Sequence, residues 1–145
     1  MKRTVSILCI AMLLILTFSG TAMAATGAGA GINPQYISIS SVYPDFSIDS
    51  NGNAAAGVNV RIKANDTLVD TVKGTVWIID DSTGYVLKTW GNVIFDGPSW
   101  ANEYKFIGTH QLQTRGTYHV EAMVFLYDGT TLIESLNVTS HSDSY

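Results

Sequence analysis

The chain has 145 residues, of which 46% are hydrophobic and 14% charged, with a formal net charge of −4 and a single cysteine. That length is enough for one domain with its own core. The acidic balance, with its charges scattered rather than in blocks, argues against nucleic acid or an anionic membrane surface as partner, since neither attracts a negative protein.

The first residues read as a targeting signal. Lys2 and Arg3 give a positive start, VSILCIAMLLILTF (5–18) is an apolar run of 14 residues, and Ala22-Met23-Ala24 puts small residues where signal peptidase reads them. A spanning helix needs about 20 apolar residues. The expectation is therefore a signal peptide at 1–24, cleavage after Ala24, secretion, and no membrane span afterwards. Cys9 lies inside the apolar run, so the remaining 121 residues hold no cysteine. A mature chain of that kind has no disulfide, thiol nucleophile or cysteine metal site, and its stability rests on burial. Loss of Lys2 and Arg3 leaves six basic residues against twelve acidic ones, a net charge of −6.

Residues 25–35 are rich in glycine and alanine and read as a flexible lead-in to a domain at 36–145. YISISSV (36–42) alternates with Ile37 and Ile39 on one face, and DFSID follows with Phe46 and Ile48. SNGN (50–53) is a hairpin-turn sequence. In AAAGVNVRIKA, Val58, Val60 and Ile62 point one way and Asn59, Arg61 and Lys63 the other, the pattern of a half-buried strand. TVKGTVWIID (71–80), the turn DDSTG (80–84) and YVLKTW (85–90) form a second hairpin. After a break at DGPSW (96–100) come NEYKFIG (102–108), TYHVEAMVFLY (117–127), a turn at Asp128-Gly129 and TTLIESLNV (130–138).

Seven or eight short strands with Gly, Asn, Asp and Pro breaks, and no helix-sized gaps, predict an all-β antiparallel sandwich. Two features favour an immunoglobulin-like or fibronectin-like version. In LQTRGTYHVEAMV, Gly116 and Tyr118 stand as at the entry to the penultimate strand of such domains, where a corner tyrosine bonds back to upstream backbone. Trp77 is placed to pack between the sheets. Val120 occupies the position of the usual bridging cysteine, so the sandwich has no disulfide.

From INPQY through ISISSV, FSIDSNGNA, the LKTW hairpin and GTYHVEAMVFLYDG to ESLNVTSHSDSY, the chain resembles a family of small secreted proteins of clostridia-like Gram-positive bacteria. The resemblance spans residues 32–145 and rests on structural motifs. It implies an extracellular Ig-like sandwich with no assigned function and no catalytic residues to carry over. This chain is more acidic than that family. A bacterial source would also leave the glycosylation patterns at Asn65 and Asn137 unmodified.

Candidate chemistry centres on His119 and Glu121. Strand residues i and i+2 share a face about 6.6 Å apart, so with His110 from a neighbouring strand they offer three metal ligands, the basis of a small metal-dependent hydrolase. The alternation also accounts for both as solvent-facing residues, with Tyr118, Val120, Ala122 and Val124 turned inward, and that is the expectation. Met123, Phe125 and Tyr127 make the same outward face apolar, predicting that it is covered near Asp128-Gly129. DDSTG is a turn rather than an aspartic-protease motif, and the loop carboxylates match no calcium spacing. No nucleophile elbow or phosphate loop is present. Tyr85, Trp90, Trp100 and Tyr104 lie at strand ends, where exposed rings stack on sugars or anchor protein contacts. The sequence thus predicts a non-enzymatic binding protein without cofactor, acting on a protein or glycan at the cell surface. A carbohydrate-binding module built on Trp90 and Trp100 is the alternative. The tail LNVTSHSDSY either extends the last strand or donates it to another subunit.

Overall fold

The computed structural model describes residues 37–145, and the predicted signal peptide and lead-in lie outside them. Eight strands follow in order: β1 (Ile39–Ile48), β2 (Asn53–Ile62), β3 (Thr71–Asp80), β4 (Val86–Ile94), β5 (Glu103–Gln111), β6 (Thr117–Asp128), β7 (Thr131–Thr139) and the short β8 (Asp143–Ser144). One sheet has the order β1-β2-β5; the other runs β4-β3-β6-β7, with β8 on β6. All pairings are antiparallel. The fourth strand sits beside the third rather than the fifth, the fibronectin-like arrangement of an Ig-like sandwich. No helix occurs among the described residues, and so none is long and apolar enough to cross a membrane.

Period-two alternation drives this fold. Val58, Val60, Val72, Val76, Ile78, Val120, Val124 and Leu126 are all fully buried between the sheets. Each such side chain contributes about 1.5–3 kcal/mol on burial, which is how a domain with no cysteine among its described residues holds two sheets together.

Three departures from the sequence reading have local causes. The segments around Ile37 and Phe46 form one strand that runs through Pro44. Proline is tolerated because β1 is an edge strand that pairs only with β2, so the missing N–H costs no ladder bond. Ile37 does not share the buried face of Ile39: it is 72% exposed against 2%, because it precedes the strand and a bulge follows Ile39. β4 continues to Ile94, past the expected end at Trp90, and delivers Phe95 into the core.

Trp77 is the third. Val76 and Ile78 take the inward phase of β3, so Trp77 faces outward and is half-buried. The tryptophan at the junction of the sheets is Trp90 on β4, edge-on to Phe106 of β5 with ring centroids 5.6 Å apart at 62°. Gly108 makes room for it: a Cβ there would stand 2.7 Å from the Trp90 ring.

The corner predicted at Gly116 and Tyr118 is formed. Tyr118 is fully buried and its hydroxyl donates to the Thr114 carbonyl at 2.8 Å. Asp128 ends β6 opposite Thr131, and Gly129 takes the first central position of a two-residue turn with φ 58°, where a II′ turn wants glycine. The tail folds back on its own β6 rather than leaving the domain. Asp143 accepts a bond from the Ile48 backbone N–H at 2.7 Å, tying β8 to the opposite sheet.

Candidate binding surface

The two outer faces of the sandwich differ. On the three-stranded sheet, β1 turns out Tyr43, Asp45 and Ser47, β2 turns out Asn59 and Arg61, and β5 turns out Lys105, Ile107 and Thr109. That is the largely polar side expected of a half-solvated antiparallel sheet. The central strands of the other sheet carry apolar side chains on part of their outer face as well. β3 presents Trp77 and Ile79 outward, and β6 presents Met123, Phe125 and Tyr127. All are half-buried, and every described strand belongs to one of the two sheets, so among the described residues no third layer stands on this face. No described strand supplies the covering expected near Asp128-Gly129.

Register sets the order of groups across the face. Ile79 stands opposite His119, Trp77 opposite Glu121, Thr75 opposite Met123 and Lys73 opposite Phe125. On the far side of β6, Thr139 pairs with Glu121, Asn137 with Met123 and Ser135 with Phe125. The Lys73 ammonium lies 5.1 Å from the Tyr127 ring centre. The face therefore grades from a charged upper end into an aromatic lower half, with a hydroxyl and amide margin on β7.

The charged end is a carboxylate–histidine–carboxylate cluster. Nδ1 of His119 bonds the Asp81 carboxylate, and Nε2 lies 3.4 Å from Oε1 of Glu121. Asp81 opens the β3–β4 turn, and its N–H donates to the Thr117 carbonyl at 3.0 Å. Burial pushes the His119 pKa down, but the hydrogen bonds and charges of Asp81 and Glu121 outweigh it and raise the pKa overall. His119 and Glu121 do face outward, as expected, but as members of a cluster whose third member, Asp81, the sequence reading missed. Asp81 is diagonal to His119 across the β3–β6 ladder, a neighbourhood fixed by register. The adjacent aspartates at 80–81 were its only trace.

His110 does not join them. It lies on β5, in the other sheet, paired with Ala54. Among the described residues no group of three or more His, Cys, Asp or Glu is arranged to hold a metal ion.

Nor are the four strand-end aromatics brought together. Tyr104 is 3% exposed, with its hydroxyl donating to the Val69 carbonyl at 3.2 Å, so it is a core residue rather than a contact platform. Burial raises its pKa, with Asp70 adding to the effect. Trp90 packs against Phe106 and is only partly open. Tyr85 and Trp100 are 73% and 99% exposed. They precede and follow β4 at opposite ends of the sandwich, separated by about 30 Å of strand.

Comparison with known proteins adds little to this geometry. No family model and no curated protein matches the chain. Among solved structures it is similar to one from Bacteroides fragilis described as a "putative beta-galactosidase", with 14% identity and a TM-score of 0.41. The match covers 68% of this chain but only 15% of that protein's length, and a likeness at this score carries no argument.

Proposed function

We propose that this chain is a secreted, non-enzymatic binding domain that acts at or near the cell surface through the outer face of its β4-β3-β6-β7 sheet. The observation that carries the reading is the apolar group within the outward rows of the two central strands. Trp77, Met123, Phe125 and Tyr127 occupy positions where a solvated sheet takes polar side chains. Binding is preferred to a metal-dependent reaction because His110 lies in the other sheet and does not join His119 and Glu121. The predicted export signal and the resemblance to small secreted proteins support the location.

The mixture of rings with Glu121, Asn137 and Thr139 favours a second reading, a polysaccharide lying across the face. Both readings are tested by passing the exported protein over cell-wall polysaccharides and immobilised surface extracts. Retention is expected, and Trp77→Ala with Phe125→Ser should weaken it. No retention on any support, or retention indifferent to these changes, removes the proposal.

A further inference from the structure

The His119 ring at the charged end of the outer face stands between two carboxylates. Nδ1 is bonded to Asp81, and Nε2 lies 3.4 Å from Oε1 of Glu121. A protonated ring donates from both nitrogens and holds both carboxylates. A neutral ring has one N–H and one lone pair, so it donates to only one of them. The other carboxylate then faces the lone pair, acceptor against acceptor.

Geometry decides which carboxylate is let go. Asp81 makes the closer contact, its side chain is 28% exposed, and its backbone N–H is tied to the Thr117 carbonyl at 3.0 Å. Glu121 makes the longer contact, is 47% exposed and has one more bond to turn about. It stands between Trp77 on β3 and Thr139 on β7, so a released carboxylate moves among the side chains of the face.

The neighbouring charges are engaged elsewhere. On β3, Asp80 accepts from Ser82 N–H at 2.8 Å and from Thr83 N–H at 3.2 Å. On β4, Lys88 stands opposite Ile78 with its ammonium 5.5 Å from the Trp90 ring centre. On the tail, the charge of His141 acts on Asp143 of β8, whose carboxylate accepts from Ile48 N–H at 2.7 Å. The charges that act on the His119 ring are those of Asp81 and Glu121.

We infer that Asp81, His119 and Glu121 form a pH-operated latch, in which the charged ring holds both carboxylates and loss of its proton frees Glu121 beside Trp77. The same step doubles the net negative charge of the cluster. Its effect on binding rests on the reading that this face takes the partner. A partner that covers Trp77 must dehydrate the charged end beside it, which costs less while the ring balances one carboxylate. Contact is therefore strongest with the ring protonated. It weakens as pH rises through the ring's folded value, which burial lowers but the two carboxylates raise above 6.5 overall.

The test follows the Trp77 indole N–H and the Glu121 carboxyl carbon of the exported protein by NMR between about pH 5.5 and 8.5. Both signals are expected to move with the His119 midpoint and to stay flat in His119→Gln, which separates the effect from His110 and His141. In Glu121→Gln the amide can donate to the bare nitrogen, so the Trp77 signal should move far less. Signals that ignore the His119 midpoint, or a Trp77 response undiminished in Glu121→Gln, would overturn the latch. Retention on immobilised cell-wall polysaccharides and surface extracts at about pH 6 and about pH 8.5 tests its consequence. Retention about threefold stronger at the lower pH is expected, matching a half-unit rise in the ring's pKa on contact, and His119→Gln should lose the difference. Equal retention at both values overturns the regulation. No retention at either overturns the binding surface, and the NMR result still decides the latch.

Discussion

The Tyr118 hydroxyl reaches back four residues to the Thr114 carbonyl at 2.8 Å, over a glycine with no room for a side chain beneath it. A Cβ on Gly116 would lie 2.9 Å from that hydroxyl oxygen and 3.1 Å from the ring carbon that bears it. Tyr118→Phe should therefore lower stability by about 1–2 kcal/mol, the value of one bond plus a stranded carbonyl. Gly116→Ala should cost about 1–3 kcal/mol through overpacking. The double variant should lose less than the sum, since removing the hydroxyl relieves the worst contact. Urea midpoints of the four proteins decide it, and strict additivity would contradict the packing described.

This corner was legible in the sequence because its parts are local: a glycine, a tyrosine and an alternating run within a few residues. The same holds for Val58, Val60 and Ile62 and for the turn at Gly129. What escaped were relations set by register and sheet partner. Trp90 stands opposite the inward Val76 through a pairing that carries two register shifts between β3 and β4, whereas Trp77 shares its phase with Thr71, Lys73 and Thr75, so its outward turn was open to a reading of the alternation. Asp81 near His119, and Tyr104 within the core, depend likewise on pairings between distant segments. The apolar outer row of β6 was visible in the sequence; that it lacks a covering layer among the described residues was not.

His119 makes stability depend on pH with a definite sign. Its folded pKa is raised above 6.5, so folding favours the protonated ring. The contribution is fully present below that ordinary value and fades as pH rises through the folded one. Chemical denaturation between about pH 5.5 and 8.5 should show the natural protein losing stability relative to His119→Gln as pH rises. In Asp81→Asn the slope should shrink. Parallel curves for all three would mean that the cluster does not couple to folding.

Trp90 and Gly108 form a matched pair across the sheet junction. With 2.7 Å between the would-be Cβ and the ring, Gly108→Ala forces Trp90 or Phe106 to move. A loss of about 1–3 kcal/mol is expected. Trp90→Ala should cost about 2–3 kcal/mol, below the range for a fully buried tryptophan because its ring is partly open. Near-ultraviolet circular dichroism with urea unfolding checks both. If Trp90→Ala left stability unchanged, the ring would be free for ligand contact and its structural role would fall.

The last three residues act as a clasp. Asp143 accepts from Ile48 N–H at 2.7 Å, Tyr145 N–H donates to the Gly116 carbonyl at 2.9 Å, and the Tyr145 ring covers Gly52. The Arg115 guanidinium lies 5.0 Å from the centre of that ring. Deleting residues 143–145 should therefore cost about 1–3 kcal/mol in lost bonds and packing and bare the β6 edge at Thr117 and Tyr118. Backbone N–H groups of Ser144 and Ile48 hold the Asp143 carboxyl below its ordinary 3.8, so its share is present above that value and disappears as pH falls through the folded one. The gap between full-length and truncated proteins should accordingly narrow in acid. Light scattering shows whether the bared edge also recruits a second chain; equal stability at neutral pH would show that the tail merely rests on the sheet.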